Sequence, residues 1–136
     1  MINDRYKYSD ITEKIIGCAM KVHTKMGNGF QELIYQRALE KELWNAGISF
    51  EREKEMPIIY NGEQIGSRRV DFFVEDKIMV ELKALEKLEK VHIAQAINYL
   101  EAYDVEIGLL INFGATSLEF KRLIYNKKII NVIKSA

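Results

Sequence analysis

Asp71, Glu81 and Lys83 are the residues of this chain whose types and spacing could most readily do chemistry. They stand in "VDFFVEDKIMVELKA", Val70 to Ala84, which reads as two short strands around a polar turn. Strand side chains alternate between faces, so Val70, Phe72 and Val74 share one face, and Ile78, Val80 and Leu82 share one face of the next strand. Pairing the two apolar triplets sets 70 against 82, 72 against 80 and 74 against 78. That register leaves Glu75-Asp76-Lys77 as the loop and brings Asp71 opposite Glu81 on the other face. Like charges so placed destabilise a sheet by ~0.2–1 kcal/mol, and a divalent cation would offset the cost. Carboxylate oxygens are the hard ligands that magnesium or manganese takes, with water and phosphate completing the shell. Lys83, two residues beyond Glu81, shares its face, where an ammonium can orient water or neutralise charge on a phosphate. The plainer alternative is a structural ion pair in which Lys83 bridges both acids. Glu-x-Lys is common, and spacing alone leaves the two readings open.

The elements that must position these residues follow from periodicity. From Asp10, Ile11, Ile15, Ala19, Val22 and Met26 recur at helical spacing, Asp10 with Glu13 resembles a capping box, and Gly27-Asn28-Gly29 ends the helix. A second helix is predicted from about Phe30 to Ala46, with Leu33, Ala38, Leu39 and Leu43 inward and Gly47 as its C-terminal cap. The segment "ISFEREKEMPIIYNGEQIG" is extended, with an Asn61-Gly62 hairpin turn, and Pro57 argues for an edge position. After the acidic hairpin, Val91, Ala94, Ile97 and Leu100 mark a third helix with Ala96 and Tyr103 nearby. "VEIGLLINF" is nearly unbroken in its apolar run, as expected of a strand covered on both faces, and "LEFKRLIYNKKIINVIK" adds either one or two short strands or a helix. The order is α-α-β-β-β-α-β with a tail, an α/β (α+β) arrangement with a mixed sheet flanked by helices. At 136 residues and 48% hydrophobic content, one domain over 1–136 is expected.

Charge narrows the partners. Twenty basic and twenty acidic residues cancel, so the broad basic field of many nucleic-acid binders is missing and any such binding must be local. Residues 115–136 carry Lys121, Arg122, Lys127, Lys128 and Lys134 against Glu119, a tail that either is simply solvated or contacts phosphates. The polar "MINDRYKYSD" start and the absence of any ~18-residue apolar run predict neither signal peptide nor membrane helix, hence a cytoplasmic protein with no membrane partner. Cys18, the single cysteine, lies in an apolar helical pattern and reads as a buried, inert core residue of a reducing compartment. No Walker-type loop, Ser-centred elbow or CxxC pair is present.

An acid, a hairpin turn and Glu-x-Lys on the following strand, between helices, resembles the PD-(D/E)xK nuclease superfamily, with Val70 where the motif's name has proline. More specifically, "GFQELIY", Gly29 to Tyr35, is similar to the Gly-x-x-Glu-x-x-Tyr signature of the small bacterial GxxExxY proteins. "IIGCAMKVHTKMGNG", "DFFVEDKIMVELKA", "VHIAQAINYL" and "GLLINFG" extend the likeness over roughly residues 10 to 125. The resemblance implies a restriction-endonuclease-like core, with Asp71 and Glu81 as metal-binding acids, Glu32 as a helix-borne acid supporting the metal, and Lys83 as catalytic lysine. Gln95 and Tyr99, four apart on one helix face, resemble the Gln-x-x-x-Tyr element of RecB-like nucleases and would help place the strand. Tyr35, three residues beyond Glu32, shares its face and is either a substrate contact or packing. His23 and His92 match the family pattern but lack neighbouring ligands at zinc spacing, and read as structural or as supports behind the site.

The function these features imply is hydrolysis of phosphodiester bonds by metal-activated water, with Mg2+ or Mn2+ as cofactor and nucleic acid, DNA first, as partner. The competing reading is a nuclease-fold module that binds nucleic acid or protein with little or no turnover. It is favoured by the neutral charge and by a short chain whose footprint a homodimer would enlarge.

Overall fold

Two glycine stops and one Asn-Gly turn divide the first half of the chain. Gly27, at φ 73, ends the first helix by returning its N–H to the His23 carbonyl. Gly47, at φ 71, bonds the Trp44 carbonyl while Ile48 N–H reaches the Leu43 carbonyl, the paired bonds of a Schellman motif. Asn61 and Gly62 take φ 49 and 79, which is what a two-residue hairpin loop with the right-handed strand twist requires.

The computed structural model describes residues 7–126. In chain order it contains α1 (Ser9–Met26), α2 (Glu32–Asn45), β1 (Phe50–Tyr60), β2 (Glu63–Val74), β3 (Ile78–Lys83), α3 (Lys90–Tyr103), β4 (Ile107–Asn112) and β5 (Glu119–Ile124). The predicted order holds, and β5 is the strand expected near the C-terminus. Lys127, Lys128 and Lys134 of the basic tail lie outside the described residues. The sheet runs β1-β2-β3-β4-β5, with β3 and β4 parallel and the other neighbours antiparallel. β1, which carries Pro57, is an edge strand as expected. All six residues of β4 are buried, as its apolar run predicts.

Helices cover both faces. Ile15, Val22, Tyr35, Leu39 and Leu43 of α1 and α2 pack on Phe72, Val74, Ile78, Val80 and Leu82, continuing onto β4. Ala96 and Leu100 of α3 pack on the opposite face against Val70, Met79, Leu110 and Leu123. Cys18 is buried with its thiol toward the Glu42 carbonyl, and burial pushes its pKa up, as befits an unreactive thiol.

Four local expectations are corrected. The Asp10/Glu13 capping box does not form, because α1 begins at Ser9 and Asp10 lies inside the first turn, where its charge still faces free N–H groups. Leu33 is 52% exposed, since α2 turns Tyr35, Gln36, Leu39 and Leu43 inward instead. On α3, Val91 is 64% exposed and Ala94 points outward, because Ile93, Ala96, Ile97 and Leu100 form the stripe facing the sheet. Val70 does not share a face with Phe72 and Val74. It packs under α3 while they pack under α1 and α2. The alternation breaks where β1 skips its pairing at Glu53 and Asp71, with Glu53 at φ 53 between the regular pairs Arg52↔Phe72 and Lys54↔Val70.

Candidate functional site

The β2–β3 ladder runs Val74↔Ile78, Phe73↔Met79 and Phe72↔Val80 around the expected loop of residues 75–77, and stops there. The predicted backbone pairs of residues 70 with 82 and 71 with 81 are absent from the ladder. In their place the Leu82 N–H donates to Asp71 Oδ2 at 2.8 Å, so a side chain substitutes for the strand bond. The other oxygen, Oδ1, accepts from Gln36 Nε2 at 2.9 Å, which ties the acid to α2. Asp71 is thus held by both a strand and a helix, and only a break in strand alternation lets it reach both.

Glu81 stands beside Asp71, though not through the predicted ladder pair. It is 5% exposed, and its pKa is pushed up to about 8, first by burial and also by Asp71, through charge and a carboxyl–carboxyl hydrogen bond. Arg68, whose guanidinium donates to Glu81 Oε1 as an ion pair, works in the opposite direction. The structural alternative, Lys83 bridging both acids, is therefore not what forms. The ion pairs among the described residues leave Lys83 out, and Arg68 supplies the cation.

Lys83 lies on the same side of β3 as Glu81, and the two line a narrow cleft under α3 together with Arg68, His92, Gln95 and Tyr99. The predicted helix pair therefore faces the predicted strand pair. The Tyr99 ring carries the Arg68 guanidinium at 4.0 Å and is itself stacked on Tyr103 at 6.0 Å between centroids. Glu32, at the exposed first turn of α2, is close enough to be felt. Partial burial and the charge of Asp71 raise its pKa, while Lys83 and Arg68 pull it back.

Tyr35 has a packing place. It is fully buried and stacks on Phe113 at 4.7 Å between centroids. Its hydroxyl donates to the Gly27 carbonyl at 2.5 Å and accepts from Phe30 N–H at 3.2 Å. Those bonds clamp the α1–α2 loop and set where Glu32 begins its helix, and they leave the tyrosine no surface for a substrate. His23 reaches the Ala115 carbonyl at 3.0 Å, and His92 closes a capping box with Glu89 at the start of α3, so both are structural as read.

Three positioning residues escaped the sequence reading. Gln36 carried a usable signal, since it lies four residues beyond Glu32 and so on its helix face. Arg68 carried none, because strict alternation would put it on the far face from Glu81. Asn112 looked like the polar end of an apolar run. It is fully buried, accepts from Leu85 N–H at 2.8 Å and donates to Leu85 O at 2.9 Å and to Glu119 at 2.8 Å, fixing the chain where it leaves β3.

The donor set suits a small hard cation. Two adjacent carboxylates, Asp71 and the buried Glu81, are ligands of the kind magnesium takes alongside water and phosphate. Among the described residues no three His, Cys, Asp or Glu side chains stand close enough to form a complete cage, and Glu32 stands apart from the pair while still feeling the charge of Asp71. A more open hollow of about 730 Å³ lies elsewhere, between the C-terminal half of α2 and β1, and contains none of these groups.

A family model described as the PD-(D/E)XK nuclease superfamily matches residues 9–123. A solved structure described as "Crystal structure of SSO0001" superposes with a TM-score of 0.56 at 20% identity, over 96% of this chain and 66% of that one. That likeness is one of fold, and this chain spans just under two thirds of the other protein's length. No curated protein matches.

Proposed function

This chain belongs to the PD-(D/E)XK nuclease superfamily, and on that premise we propose that it is a magnesium- or manganese-dependent phosphodiesterase acting on nucleic acid, of the GxxExxY type. One observation carries the reading. Two carboxylates from neighbouring strands, Asp71 and a buried Glu81, are forced together beside Lys83 at a cost that plain folding does not need. Asp71 and Glu81 would hold the cation, with Glu32 contributing from the head of α2. When bound, the cation supplies a Lewis acid for the scissile phosphate and lowers the pKa of a water. Asp71 is kept aimed by Gln36 and by the Leu82 N–H, so its orientation is fixed before any ligand arrives. Lys83 presents an ammonium on the face of Glu81, where it would hold the attacking water or the charge that grows on the phosphate. Gln95 and Tyr99 project from α3 into the same cleft and would seat the backbone of the strand.

The alternative, a binding module with little turnover, draws on the Arg68–Glu81 ion pair, which neutralises one acid without any metal. Incubation of the protein with single- and double-stranded DNA and RNA, with magnesium or with a chelator, separates the two. Metal-dependent cleavage that falls at least about a hundredfold in Lys83→Ala supports the nuclease. Binding without cleavage by the native chain on all four substrates supports the module.

A further inference from the structure

Arg68 belongs to neither of the roles assigned above, yet it is the group most closely engaged with the proposed metal ligands. Its guanidinium makes an ion pair with Glu81, whose side chain is 6% exposed, while its own side chain is 25% exposed and so still reaches the cleft opening. The same guanidinium lies over the Tyr99 ring, 4.0 Å from its centroid. It thus has two supports, one on the carboxylate and one on the ring, and only the first competes with a cation. A divalent ion held by Asp71 and Glu81 would compete with Arg68 for the Glu81 carboxylate, and the two like charges would repel each other. The ring, stacked in turn on Tyr103, is indifferent to that exchange and can retain the guanidinium through cation–π contact. There the guanidinium borders a narrow cleft also lined by Lys83 and Gln95, and its donors suit bidentate phosphate binding.

We infer that Arg68 is a two-position residue: it is the counter-ion of Glu81 in the metal-free protein and, once displaced by the divalent ion, a phosphate-contacting residue held on the Tyr99 ring. The inference rests on the nuclease reading of Asp71 and Glu81. It gives the local, charge-neutral site a cation that becomes available to the nucleic acid only when the metal has arrived. The acids are never left uncompensated, and the strand is gripped only at a loaded site.

The displacement is read by NMR of the guanidinium Nε–H of Arg68, assigned by its absence in Arg68→Gln. On titration with magnesium the backbone amides of Asp71 and Leu82 report metal binding, and the Arg68 signal is expected to shift with the same midpoint. An Arg68 signal that stays in place while those amides shift overturns the inference and leaves the nuclease reading intact. No response of the amides at any magnesium concentration removes both. The phosphate contact is read by anisotropy of a short labelled DNA, single- and double-stranded, with calcium in place of magnesium. Arg68→Gln is expected to bind about tenfold more weakly, with a salt slope smaller by about one. Affinity and slope unchanged in both Arg68→Gln and Arg68→Met overturn the contact. Methionine keeps an apolar stem over Tyr99, so this variant guards against a misfolded glutamine substitution.

Discussion

At the scale of single residues, Glu81 shows what the site costs. Its carboxyl is protonated more readily in the fold than in the unfolded chain, with a pKa near 8 against an ordinary 4.5. A group whose folded pKa is raised contributes stability that is fully present below the unfolded pKa and is lost as pH rises through the folded one. The metal-free protein is therefore expected to lose stability between about pH 4.5 and pH 8 through this group. Glu81→Gln should flatten that dependence and raise the urea midpoint at pH 8, measured by chemical denaturation with a chelator present. A glutamine variant less stable than native at pH 8 would mean that the ionised pair with Arg68 is net favourable. The hairpin that carries Asp71, Glu81 and Lys83 was legible because Phe72, Val74, Ile78 and Val80 fixed the register of its turn. The partner of Glu81 was not, since Arg68 reaches it only through the break in alternation at Asp71.

At the scale of elements, the candidate site is framed by bonds that tie one element to another. Gln36 ties α2 to Asp71, Tyr35 ties the head of α2 to the end of α1, and Asn112 ties the end of β4 to the chain leaving β3. Asn112→Ala would strand the partly buried N–H and carbonyl of Leu85 and remove the fully buried amide, and is expected to cost about 1–3 kcal/mol, seen as a lower thermal midpoint with the secondary structure retained. Helix order, the Asn61-Gly62 turn and the buried β4 were readable because periodicity and turn chemistry are local signals. Which flank of a helix faces the sheet was less so: Leu33 and Val91 are apolar yet exposed, while Gln36 is polar yet buried. Side-chain class alone does not report a hydrogen bond made across the fold.

At the scale of the whole molecule, two helices on one face and one on the other leave the acids at the point where β2 and β3 part, within reach of α2 and α3 together. With a formal charge of zero, the proposed metal, rather than a broad basic surface, would be the main source of attraction for a phosphate backbone. Among the described residues no helix is long and apolar enough to cross a membrane. Calorimetric titration with manganese of the native protein beside the Asp71→Ala/Glu81→Ala double variant at matched pH tests the account most directly. Binding by the native chain that disappears in the double variant is the predicted result. Equal binding by the two proteins, or none by the native chain, would contradict a metal site at Asp71 and Glu81.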